Sequence, residues 1–110
     1  MKVGPKPPET YEAFVKRYPQ IGQAWERIAE AGKEGPLDDR TRRLVKLATA
    51  IGALREGAVH ANIRKAMSMG IAREEIEQVI ALAAGTLGLP ATVAVFSWVQ
   101  DGLAKVAKPS

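Results

Sequence analysis

The stretch Arg55-Glu56-Gly57-Ala58-Val59-His60-Ala61-Asn62-Ile63-Arg64-Lys65-Ala66-Met67-Ser68-Met69-Gly70 decides how the chain is read, because a helical period and the only histidine coincide in it. Ala58, Asn62, Ala66 and Gly70 recur every four residues, and Val59, Ile63, Ala66 and Met67 share one face. That spacing predicts a helix from Ala58 to Met69, closed by Gly70 just past its end. Glu56 and Arg64 stand four residues before and after His60, so a helix that starts early enough lines all three along one flank of its apolar face.

Outward from this segment the chain reads as helices with clear punctuation. Asp38 is a natural N-cap for a helix from Asp39 to Leu54, with Leu44, Leu47, Ala48 and Ile51 as its stripe. Gly35-Pro36 marks the one internal boundary before it. Upstream, residues 1–9 hold Gly4, Pro5, Pro7 and Pro8 and read as an extended arm. Thr10 is placed to cap a short helix through Arg17, Tyr18-Pro19 breaks it, and a second helix runs to Ala31 with Ile21, Trp25, Ile28 and Ala29 as its apolar face. Downstream, Arg73-Glu74-Glu75 opens a fifth helix with Ile76, Val79, Ile80, Ala83 and Leu87 on one side, and Pro90 begins a sixth through Val106.

No charged residue occurs from Val79 to Val99, 21 residues that match a membrane span in length alone. Gly85, Gly88 and Pro90 cut the run into two halves, so a buried apolar hairpin shared with another copy of the chain is expected instead of a span. The expectation is therefore one all-α domain of about six helices, covering residues 1–110 and completed by self-association.

Composition narrows the chemistry. Aromatic residues make up 5% of the chain, so the core is expected to be aliphatic and alanine-rich. With no cysteine there is no disulfide, no thiolate nucleophile and no thiolate metal site, and redox activity would need a borrowed cofactor; none is expected. One histidine with scattered carboxylates has no metal-ligand spacing. No secretory leader stands at the start, which makes the cytoplasm the expected compartment. The net charge of +4 is uneven: residues 37–70 hold seven basic and three acidic side chains, against six and five before them and three and four after. A basic middle segment attracts small anions. Nucleic acid is not expected as a partner, because no aromatics are interleaved with the basic residues for stacking.

With an imidazole that ordinarily titrates near neutral pH, His60 is the residue suited to move a proton, and Glu56 is its carboxylate partner. The plainer reading makes His60 a boundary residue satisfied by one hydrogen bond and Glu56 a helix-end charge. Arg55 projects toward the apolar stripe, where a guanidinium has to be answered by Glu56, Asp101, a partner subunit or a bound carboxylate. Arg43 sits on the edge of the same stripe and reads more plainly as a solvated residue. Asn62 and Arg64 lie on the flanks of the His60 helix and complete the set expected to hold a ligand.

Leu37-Asp38-Asp39-Arg40-Thr41-Arg42-Arg43-Leu44, the Ala66-to-Gly70 helix end and Gly88-Leu89-Pro90 together resemble the carboxymuconolactone decarboxylase-like family, which includes the alkylhydroperoxidase D branch. The resemblance spans Leu37 to Val99 and implies an all-helical domain in trimers or hexamers. Its redox branch carries C-x-x-C-x-x-x-H; here the cysteine slots hold Arg55 and Ala58, the histidine slot Asn62, and the slot of an upstream glutamate Arg43. Cysteine-free relatives look like His-x-His, of which this chain keeps His60 and has Asn62 second. The resemblance thus implies a non-thiol member binding, and by proton transfer transforming, a small carboxylate-bearing molecule in a subunit-lined pocket. The alternatives are a non-catalytic helical oligomer with a decayed site, and peroxidase activity by family label alone, against which the missing cysteines weigh.

Overall fold

A proline, an aspartate cap and left-handed turns set several of the element boundaries in the computed structural model, which describes residues 9–107. There the chain forms α1 (Glu9–Arg17), α2 (Pro19–Ala31), α3 (Asp39–Gly52), α4 (Glu56–Ser68), α5 (Arg73–Leu87) and α6 (Leu89–Ala107). Glu9 opens α1, so Thr10 lies inside the helix instead of capping it; the rest of the expected arm, residues 1–8, lies outside the described residues. Pro19 starts α2 at its first turn, where a missing N–H costs nothing. The Asp38 side chain accepts the Thr41 N–H at 2.8 Å and caps α3 as expected.

Both ends of the α3–α4 pair close in the same way. At the end of α4 the Gly70 and Ile71 amides reach back to the carbonyls of Met67 and Ala66, each at 3.0 Å, with Gly70 at φ +84°. At the end of α3 the Leu54 and Arg55 amides reach the carbonyls of Ile51 and Ala50, at 3.0 and 3.1 Å. Here the left-handed position is filled by Leu54, at φ +56°, the one non-glycine residue with positive φ among the described residues. This turn stops α3 at Gly52, two residues before the expected Leu54, and lets α4 begin at Glu56 instead of Ala58.

The last four helices pack as a closed ring, α3 on α4, α4 on α6, α6 on α5 and α5 on α3. Leu47, Ile51, Val59, Ile63, Ile76, Ile80, Val95, Val99 and Leu103 fill its centre. The stripes expected for α4 and α5 face this core, with Met67, Val79, Ala83 and Leu87 at its margin. In α3 Ala50 is buried where Ala48 was expected, and Ala48 is exposed. The apolar face expected on α2 exists but is left largely bare: Trp25 is 60% and Ile28 63% exposed, and neither α1 nor α2 has a buried residue. The uncharged run forms the α5–α6 hairpin, turning at Gly88. No helix among the described residues is long and apolar enough to cross a membrane.

Candidate functional site

Because α4 starts at Glu56, its first turn carries the acid and its second the imidazole. Glu56 Oε2 lies 3.4 Å from His60 Nε2, the i, i+4 contact that the spacing predicts. The Glu56 side chain is open to solvent, whereas only 22% of the His60 side chain is exposed. Gly102 of α6 creates that cover, since a Cβ there would lie 3.2 Å from His60 Nδ1. Sequence reasoning missed Gly102, because only tertiary packing brings it against α4. Arg64 continues the same flank one turn further and is half-buried.

The other expected ligand-holding residues lie elsewhere. Arg43 of α3 donates from Nη1 to Asn62 Oδ1 at 2.7 Å, and Asn62 in turn donates from Nδ2 to the Ala58 carbonyl at 2.9 Å. Asn62 therefore faces α3 while His60 faces α6, so α4 presents the two on opposite flanks of its buried stripe. Among the described residues Glu56 and His60 are therefore not brought together with Asn62 and Arg43.

The two arginines also exchange the environments expected for them. Arg55, the residue before α4, is extended and exposed, with no ion-pair partner among the described residues; it does not enter the apolar stripe. The left-handed turn at Leu54 ends α3 early and leaves Arg55 outside both helices. Arg43 is the half-buried one: its Nε is buried without a partner, and burial pushes its guanidinium below the usual range.

Two concavities flank α3. One, of about 530 Å³, lies between α3 and α5 and is mostly apolar, with Leu44, Val79 and Leu82 in its wall. The other, of about 710 Å³, lies between the end of α2, the first half of α3 and the last turns of α4. Lys33, Arg42, Arg43, Lys46 and Lys65 line it. Of these the sequence singled out Arg43 alone; the available signal was the basic excess of residues 37–70. Neither concavity includes Glu56, His60, Asn62 or Arg55 in its wall.

This helical ring and its connections have known counterparts. The model of the carboxymuconolactone decarboxylase family matches residues 19–101, and the chain belongs to that family. In fold it is similar to the crystal structure of a carboxymuconolactone decarboxylase family protein from Legionella pneumophila in its apo form, with a TM-score of 0.81, 21% identity, and coverage of 91% of this chain and 89% of that one. No curated protein matches the chain. Set against the redox pattern that the sequence resembles, the glutamate and histidine slots are occupied by Arg43 and Asn62, which are hydrogen-bonded to each other, and no cysteine stands near them.

Proposed function

We propose that this cysteine-free member of the family binds a small carboxylate-bearing molecule along the α4–α6 edge and moves a proton on it, with Glu56 and His60 as the working pair. The observation that carries this is the 3.4 Å approach of Glu56 to His60, with the ring backed by Gly102. In a decarboxylation of the kind the family name describes, the bond to a carboxylate carbon breaks, carbon dioxide leaves, and the electron pair stays on the substrate until a proton reaches it. His60 donates that proton, and the Glu56 carboxylate orients the ring toward it. Arg55, next to Glu56, and Arg64, one turn past His60, hold the anionic end of the molecule.

This edge is open, so a second copy of the chain is proposed as its outer wall, in the trimer or hexamer that the resemblance implies. Supporting self-association are Ile21, Trp25, Ile28, Leu82, Leu89 and Val93, large apolar side chains that are each more than half exposed. The same residues favour a second reading, a helical oligomer without catalysis.

Incubation with carboxymuconolactone, followed by carbon dioxide release, separates the two. Catalysis predicts release well above the buffer rate and a loss of about a hundredfold or more in His60→Gln and Glu56→Gln. An assembled protein whose release matches that of His60→Gln supports the non-catalytic reading instead.

A further inference from the structure

The concavity between α2, α3 and α4 has no part in the Glu56–His60 chemistry, yet it gathers most of the basic residues of its segment. Five cations line it and a single carboxylate, Asp39, which is bonded to Arg42. Lys33, Arg43, Lys46 and Lys65 then have no ion-pair partner among the described residues. Four positive groups around one hollow repel each other. The ammonium of Lys65 is held below its ordinary range, by burial first and then by Arg43, Lys46 and Arg64.

The contact that orients Arg43 leaves its charge in place. Asn62 accepts from one arm of the guanidinium at 2.7 Å, and the Ala58 carbonyl fixes the amide from behind. A carboxylate at position 62 would hold the fork equally well but would neutralise it. An amide aims a cation without consuming its attraction for an anion. A solvated basic helix face, by contrast, disperses its charges into water and orients none of them. The hollow also offers an apolar side, Leu37 and Met69, and its volume of about 710 Å³ is that of a small-ligand site.

We propose that this hollow is a binding site for a small polyanion of phosphate or pyrophosphate type, separate from the Glu56–His60 edge. A monocarboxylate balances one of the four unpaired cations, whereas a single phosphate group brings about two negative charges and three acceptor oxygens. The Arg43 arm that Asn62 leaves free takes one of those oxygens, Lys46 and Lys65 act as point charges on the remainder, and an organic substituent lies against Leu37 and Met69. Asn62 is the positioning residue for Arg43.

Calorimetric titration of the full chain with inorganic pyrophosphate at low ionic strength tests this. One site per chain is expected, with affinity at least about tenfold above that for acetate and falling as salt is added. Lys46→Glu, at an exposed position, and Asn62→Asp, which neutralises Arg43 where it stands, should each weaken pyrophosphate about tenfold with unchanged circular dichroism. His60→Gln should leave binding unaltered, so failure here is distinct from failure of the proton-transfer assay. Pyrophosphate binding no tighter than acetate, or full affinity in both Lys46→Glu and Asn62→Asp, would overturn the proposal.

Discussion

At the scale of single residues, Gly102 is what seats the histidine. A Cβ there would meet His60 Nδ1 and Ile63 Cδ1, both at 3.2 Å; the ring, with one edge toward solvent, has room to swing, but the fully buried Ile63 does not. Gly102→Ala should therefore cost about 1 kcal/mol and turn the ring away from Glu56, and Gly102→Val about 3 kcal/mol. Urea unfolding and the His60 ring resonances check this, and wild-type stability with an unmoved ring contradicts it. The opposite sign is expected at Leu54, whose left-handed backbone costs an L-residue roughly 1–2 kcal/mol, so Leu54→Gly should raise the midpoint of thermal unfolding. With no cysteine in the chain, the purified protein with a thiol reductant should not turn over an alkyl hydroperoxide, and any such turnover refutes the assignment as a non-thiol member. The Glu56–His60 contact was legible in the sequence because it needs only a helix. The exchange between Arg43 and Arg55 was not, because it depends on where α3 stops, and that is decided by a leucine in a conformation leucine ordinarily avoids.

At the scale of elements, the helix starts are tied by carboxylates, and this gives the fold an acid limb. The carboxyl of Asp38 lies below its ordinary value through hydrogen bonding from Thr41. Glu75 is lowered by Arg40 and then by the Ala72 N–H, and Glu77 by Gln100 and then Arg73. Each group is lowered in the folded chain, so its contribution is complete above the ordinary values of 3.8 for Asp38 and 4.5 for the two glutamates and is lost as pH falls through the folded values. Thermal unfolding from pH 6 to pH 3 should show a plateau and then a decline, made shallower by Glu75→Gln; a curve flat to pH 3 contradicts this. Lys65 runs the other way: its ammonium is disfavoured on folding, so this penalty is relieved as pH rises through its lowered value toward 10.5. Element order, the Asp38 cap, the Pro19 start and the Gly70 stop were all legible, because side-chain and backbone chemistry dictate them locally. The exposure of the α2 stripe was not, because an apolar period identifies a face and not what covers it.

At the scale of the whole molecule, α3 to α6 and the loop that joins α4 to α5 hold every buried apolar residue among those described, while the outer surfaces of α5 and α6 and the α2 stripe leave large apolar side chains bare. Self-association predicts two different lysine phenotypes on one helix. Val95 is fully buried, and Val95→Lys should unfold the chain; Val93 is 57% exposed, and Val93→Lys should leave a folded monomer. Light scattering and circular dichroism together distinguish them, and a wild-type monomer at micromolar concentration refutes the assembly.

Since no residue of α1 or α2 is buried in the single chain, those two helices have little to hold them closed when the ring itself stays folded. Their amide protons, from Glu9 to Ala31, should exchange with solvent through local opening long before those of the core helices. If another copy covers Ile21, Trp25 and Ile28, that opening is suppressed in proportion to occupancy, and the exchange rate of α2 becomes dependent on protein concentration. In that case the α1–α2 hairpin is a built-in gauge: hydrogen exchange along it, followed by dilution, reports how much of the protein is assembled while the rest of the molecule reports only that it is folded.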